Sequence, residues 1–225
     1  MRQERDEMHY VTSDIHNNNE KLQALLGMLK LQEGDKLFIL GDLFDRSDYN
    51  ADPVGVYFTI LALGDKCQVI RGNHEQELAE YINKYYQTPE RKRTKLAHYP
   101  YNTFKLLEER LTPVDIQNMT KWIQTLPLQA ELEVQSTKYL LAHAMAVKPQ
   151  VQAVEAVYLR GGEDFQNFLM NGVEGYISIC GHSNPKGNDM WRNSKENVII
   201  CDCGSGFRSG RLGCICLETG EEIYV

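Results

Sequence analysis

Val11-Thr12-Ser13-Asp14-Ile15-His16, Phe38-Ile39-Leu40-Gly41-Asp42 and Val69-Ile70-Arg71-Gly72-Asn73-His74 share one construction: a short apolar, β-prone run leads straight into carboxylate, amide or imidazole side chains. Leu140-Leu141-Ala142-His143, Ile177-Ser178-Ile179-Cys180-Gly181-His182 and Val198-Ile199-Ile200-Cys201-Asp202 repeat it. Polar groups that each follow a strand can converge at one edge of a sheet, where open α/β sheets bind ligands.

Outward from the first three stretches, helical and strand patterns alternate. Leu22, Leu25, Leu26 and Leu29 fall at helical spacing within 18–31, and Asn17, Asn18 or Asn19 can cap that helix. Gly34-Asp35 turns the chain into a strand over 36–40; a second helix over 54–63 ends at Gly64-Asp65 and feeds a strand over 67–70. This half reads as βαβαβ with a parallel sheet, an α/β fold in which right-handed crossovers bring the strand ends together. Residues 76–128 differ, rich in Glu, Lys, Gln and Tyr and broken by Pro89, Pro100, Pro113 and Pro127. We read them as a helical insertion within a single domain of residues 1–225, whose tyrosines and Arg91-Lys92-Arg93 are candidates to line a cleft. From Leu132 onward strands are expected, closing in a hairpin of 212–217, the turn Glu218-Thr219-Gly220-Glu221, and 223–225.

At 225 residues and 42% hydrophobic content, the chain has ample material for one core. No apolar run approaches the roughly 20 residues that span a bilayer, and Met1 to Met8 hold no apolar stretch, so no membrane partner and a cytoplasmic location are expected. A net charge of -7 argues against a surface for duplex nucleic acid. Five of six cysteines, Cys180, Cys201, Cys203, Cys214 and Cys216, lie near the end of the chain. Their Cys-x-Cys spacing is open to a zinc site or redox switch, but zinc sites usually show Cys-x2-Cys, and small buried hydrophobes in neighbouring strands are the expected reading. The sequence sets no oligomeric state.

Holding two divalent ions about 3.5 to 4 Å apart takes negatively charged oxygens and neutral imidazoles. Asp14 and His16 offer one of each from a single loop, Asp42 can bridge, and Asn73, His143 and His182 can complete the second shell. Four of the six histidines lie in these motifs. One histidine after a strand would signify little; four, together with Asp14, Asp42 and Asn73, point to metal.

Ser-Asp-Ile-His-Asn at 13–17, Gly-Asp-Leu-Phe-Asp-Arg at 41–46, Arg-Gly-Asn-His-Glu at 71–75, His143 and Gly-His at 181–182 resemble, in this order, the motifs of the phosphoprotein phosphatase family of calcineurin-like metallophosphoesterases. Small bacterial and phage serine/threonine phosphatases and symmetrical diadenosine tetraphosphatases are the most similar in size and pattern. The resemblance spans nearly the whole chain and implies a β-sandwich of mixed sheets flanked by helices. It implies that Asp14, His16 and Asp42 bind one ion and Asp42, Asn73, His143 and His182 the other, with a bridging hydroxide attacking phosphorus in line. It further implies that His74 is the general acid held by Asp45, that Arg46 and Arg71 clamp phosphate together with Asn73, and that Arg160 is a candidate third clamp. Ser13, Asn17 and Ser47 stand where that family usually has glycine; with every ligand type retained, they bear on loop shape and substrate fit.

The leading expectation is a serine/threonine protein phosphatase, the second a dinucleoside polyphosphate hydrolase. A non-catalytic metal-binding module is the third, and intact His74, Asp45, Arg46 and Arg71 argue against it. Manganese is the expected activating ion in vitro, although the donors also suit iron and zinc.

Overall fold

The computed structural model describes residues 7–47 and 50–225; the start of the chain, where the absence of a leader was read, lies largely outside them. Two five-stranded mixed sheets face one another. The first has the order β10 (Glu222–Tyr224), β9 (Gly213–Cys216), β1 (His9–Thr12), β2 (Lys36–Ile39), β3 (Cys67–Val69); the second runs β4 (Gln129–Val134), β5 (Thr137–Ala142), β6 (Ile177–Cys180), β8 (Val198–Ile200), β7 (Trp191–Arg192). This is the fold class that the resemblance implied. The expected βαβαβ unit is present, with β1, β2 and β3 parallel. β5, β6 and β8 form a second parallel set. The six motifs therefore leave the carboxyl ends of two sheets, three from each, where the sequence pattern alone had suggested one sheet edge.

Strand alternation divides the core into three layers, because successive side chains point to opposite faces. Val11, Phe38, Leu40, Ile70, Leu141, Ile179 and Ile199 meet between the sheets. Leu37, Ile39 and Val69 face the other way, under the helices α1 (Asn19–Leu29), α2 (Pro53–Leu63), α3 (Asn73–Gln87), α5 (Thr103–Arg110) and α6 (Pro113–Thr125). Leu140, Cys180, Val198 and Ile200 pack outward with Phe168 of α8 (Phe165–Asn171). Asn18 caps α1 by accepting from the Lys21 amide at 3.1 Å, and Pro113 opens α6, where its missing N–H costs nothing. α4 (Glu90–Arg93) is a single turn.

The stretch after residue 132 is not strands alone: α7 (Glu155–Arg160) and α8 interrupt it. Neither has a side-chain cap bond, and both are too short to show periodicity. The cysteines are spread over the layers: Cys214 and Cys216 lie under the helices, Cys201 lies between the sheets and Cys180 beyond them. Burial pushes the Cys180 and Cys203 thiols up to about 12. They pack as the small apolar residues that were expected.

Candidate metal centre and active site

The candidate ligands each sit just past a strand, and four of the six lie on backbone that few residues adopt. Asp14, His16, Asp42 and His182 have φ of 56°, 50°, 51° and 66°, and Asp45 and Arg46 have 70° and 62°. Left-handed backbone at non-glycine residues is uncommon, and such strain gathers where the surrounding fold holds side chains in a functional pose. Of the three positions that lack the family's glycine, Asn17 alone is left-handed, at 61°, a conformation asparagine tolerates. Its amide donates to Thr103 Oγ1 at 2.9 Å. Ser13 donates to the Asp14 carboxylate, filling space that Gly181 leaves open.

Two loops approach closely to set the centre. A Cβ on Gly72 would lie 2.5 Å from the Asp42 amide nitrogen. Glu75, fully buried, ties these loops: its carboxylate accepts from the amides of Asp42 (2.8 Å), Leu43 (2.7 Å) and Gly72 (2.8 Å). Burial pushes its carboxyl up to about 6 even so. Glu75→Gln is expected to leave amide donors without acceptors and to cost about 3 kcal/mol, a Tm drop of roughly 6–12 °C for a chain of this size. Calorimetry at pH 8, where the wild-type carboxyl is ionised, checks this; a drop below 2 °C would mean that the loops hold without it.

Within this frame two clusters share Asp42. His16, Asp42 and His74 offer one set of convergent donor atoms, and Asp42, His143 and His182 the other. On one side, His16 Nε2 lies 3.6 Å from Asp14 Oδ1 and 3.8 Å from Asp42 Oδ2. On the other, His143 Nε2 lies 3.3 Å from Asp42 Oδ1, and Asn73 Oδ1 is 2.9 Å from both His143 Nε2 and His182 Nδ1. Outer partners fix the rings: His16 Nδ1 meets the Phe44 carbonyl at 2.9 Å, and His143 Nδ1 the Leu40 carbonyl at 2.7 Å. Nδ1–H donates in such contacts and leaves the lone pair of the opposite nitrogen free, as in metal-ligating histidines.

The electrostatics fit a cation. Asp14 and Asp42 are fully buried, and Asp14 Oδ1 and Asp42 Oδ2 have no hydrogen-bond partner among the described residues. Burial raises the Asp14 carboxyl, but the adjacent His16 imidazole and the Ser13 hydroxyl that donates to it hold it well below the usual range. Asp42 is driven well above that range by burial and by the charges of Asp14 and Glu75. Burial lowers His143 to about 3, which keeps it a neutral imidazole. Crowded carboxylates, orphaned oxygens and neutral imidazoles are what a divalent ion would satisfy.

His74, the third member of the first set, has its Nε2 3.8 Å from Asp42 Oδ2 and its Nδ1 2.8 Å from Asp45 Oδ2. The predicted clamp residues are spread more widely. Arg46 Nη1 is 3.5 Å from His16 Nε2. Arg71 is held by Gln76 Oε1 at 3.0 Å and Glu155 Oε1 at 2.8 Å, leaving Nε without a partner among the described residues. Arg160, at the end of α7, pairs with Glu77, and its charge reaches His182.

Three further residues belong to this constellation. Tyr99 Oη donates to Asp45 Oδ2 at 2.6 Å, behind His74. Glu155 shares α7 with Arg160. Asp202, following β8, is buried with one oxygen unpartnered among the described residues, and burial plus the Asp14 charge push it up to about 8. Only Asp202, in the last of the six motifs, had a local signal; Tyr99 and Glu155 are recruited from afar.

Two carboxylate–imidazole clusters share Asp42, each with convergent atoms that could hold a metal ion, and the Asp45 carboxylate holds the His74 ring of the first. The chain belongs to the calcineurin-like phosphoesterase family, whose model matches residues 10–203. It is similar to the symmetrical bis(5'-nucleosyl)-tetraphosphatase of Tolumonas auensis, at 28% identity over 54% of this chain and 39% of that protein. An uncharacterized protein of Methanocaldococcus jannaschii matches at 28% over 63% of this chain and 51% of its own length. The chain thus spans about half or less of these curated relatives. Among solved structures, a putative diadenosine tetraphosphatase superposes with TM-score 0.65 at 19% identity, covering 97% of this chain and 93% of that one. A Saccharomyces cerevisiae protein serine/threonine phosphatase with similarity to human phosphatase PP5 gives 0.64 at 16%, covering 96% and 74%. These structures share the fold. No helix among the described residues is long and apolar enough to cross a membrane.

Proposed function

We propose that the chain is a two-metal hydrolase of phosphate esters or anhydrides, a reading carried by the two clusters that share Asp42. Asp14, His16 and Asp42 would hold one divalent ion, and Asp42, Asn73, His143 and His182 the other; manganese is the activating ion we expect, with iron and zinc also suited. Ions there supply Lewis-acid charge and lower the pKa of water into the neutral range. His74 is oriented by Asp45 to give a proton to the leaving oxygen. Arg46, Arg71 and Arg160 supply guanidinium charge for phosphoryl oxygens, with Asn73 alongside. For Arg71 this requires that phosphate compete with the Glu155 carboxylate.

Two substrate classes suit this centre. Phosphoserine or phosphothreonine in proteins is the class expected from the sequence, and the fold shared with a serine/threonine phosphatase supports it. Dinucleoside polyphosphates are favoured by a different observation, the similarity to a symmetrical tetraphosphatase. Comparing kcat/KM for a phosphothreonine peptide and diadenosine tetraphosphate, with manganese and a chelator control, decides between them. The faster substrate identifies the class, and hydrolysis that survives the chelator would overturn the two-metal reading.

Metal uptake is expected to release protons. Asp42 in the metal-free protein holds its proton above the usual carboxylate range, so a cation displaces it. Manganese affinity should therefore rise as pH rises through that titration. Titration calorimetry in buffers of different ionisation enthalpy checks this; heats independent of buffer would contradict it.

A further inference from the structure

The helical segment 76–128 carries a half-open cavity of about 460 Å³, lined in part by Tyr81, Tyr85, Tyr99, Tyr101, Phe104 and Arg93. The rings form a connected set: Tyr85 to Phe104 at 4.8 Å between centroids, Tyr81 to Tyr99 at 5.0 Å and Tyr99 to Tyr101 at 5.8 Å. The Arg93 guanidinium lies over the Tyr85 ring, 4.8 Å from its centroid. Two of the rings also belong to the candidate active site. Tyr101 stands edge-on to His74 at 5.1 Å, and Tyr99 Oη donates to the Asp45 carboxylate that orients His74. The cavity thus begins where the leaving group of a cleaved phosphate would lie.

We propose that this cavity is a base-binding subsite, taking the aromatic ring of a nucleotide whose phosphate reaches the metal centre. Aromatic faces and a planar guanidinium stack any nucleobase, because every base has a π-face. Asn102 and Glu108 on the rim offer donors and acceptors for a base edge, and Lys105 beside them offers charge for a further phosphate. A bound peptide chain would instead call for an open groove with backbone partners along an extended segment. The subsite rests on the hydrolase reading for its purpose, and it adds a binding site with no new chemical step.

Equilibrium binding of AMP and of ribose 5-phosphate, with manganese present, isolates the contribution of the base. The wild-type protein is expected to bind AMP about tenfold or more tightly than ribose 5-phosphate, within the range that stacking on one aromatic residue supports. Tyr85→Ala and Arg93→Ala should each remove most of that preference, and Tyr85→Phe should keep it. Should Tyr85→Ala fail to fold by circular dichroism, Arg93→Ala and Tyr85→Phe decide. Equal affinity for the two ligands, or a preference that persists in the folded Arg93→Ala variant, overturns the subsite. Metal-dependent hydrolysis of p-nitrophenyl phosphate by the wild-type protein tests the other reading separately. Turnover without base preference removes only the subsite. No turnover removes the hydrolase reading, while AMP preference would still support a base site.

Discussion

Asp42→Asn is expected to remove both metals' worth of function at once. Asp42 contributes an oxygen to each cluster, Oδ1 at 3.3 Å from His143 and Oδ2 at 3.8 Å from both His16 and His74. Asparagine keeps the shape but offers one neutral oxygen and an NH₂ donor, so one cluster loses its oxygen and both lose the negative charge. Outer-shell partners of metal ligands cost about 10–100-fold when removed, and a shared ligand should exceed this, on the order of 10³ in kcat/KM. The same substitution should not weaken the metal-free fold. Burial and the charges of Asp14 and Glu75 make the Asp42 carboxylate the costly form there, and a neutral isostere relieves that repulsion. The expected pattern is an unchanged or raised Tm without metal, loss of the manganese-induced rise in Tm, and fewer than two ions per chain by elemental analysis. Two retained ions with activity within tenfold of wild type would refute the shared-ligand assignment.

This pairing of a weak fold effect with a strong functional one mirrors how the chain could be read. The βαβαβ half was legible because its signals are local: Leu22, Leu25 and Leu29 at helical spacing, Asn18 as a cap, and apolar runs ending at Asp14, Asp42 and Asn73. The candidate ligands were legible because each follows a strand of a parallel set, and parallel strands deliver their carboxyl ends to one place. Tyr99 and Glu155 escaped because their partners, Asp45 and Arg71, lie 54 and 84 residues away along the chain. No periodicity announces contacts of that kind. α7 and α8 escaped because six or seven residues are too few for a helical pattern to stand out from a strand. Glu75 lay in plain view within Arg-Gly-Asn-His-Glu, yet its service to three backbone amides depends on the folded approach of the 41–43 and 72–75 loops.

His74→Asn should separate chemistry from metal binding, and the leaving group supplies the diagnosis. His74 is buried, with its Nδ1 on Asp45 Oδ2 at 2.8 Å and Tyr99 Oη on that same carboxylate oxygen at 2.6 Å. This chain of hydrogen bonds fixes the ring and turns Nε2 toward the two clusters. A positioned acid contributes about 10²–10⁴-fold to rate, so kcat on an alkyl phosphate should fall by that factor while two manganese ions remain bound. An aryl phosphate such as p-nitrophenyl phosphate expels a leaving group that needs little protonation, and its kcat should fall much less. Asp45→Asn should show the same dependence on leaving group in milder form, since the histidine remains but loses the charge that orients it. If the two substrates lose activity equally, proton donation is the wrong role. If manganese is lost with the activity, His74 acts as a ligand of the first cluster, where its Nε2 stands 3.8 Å from Asp42 Oδ2.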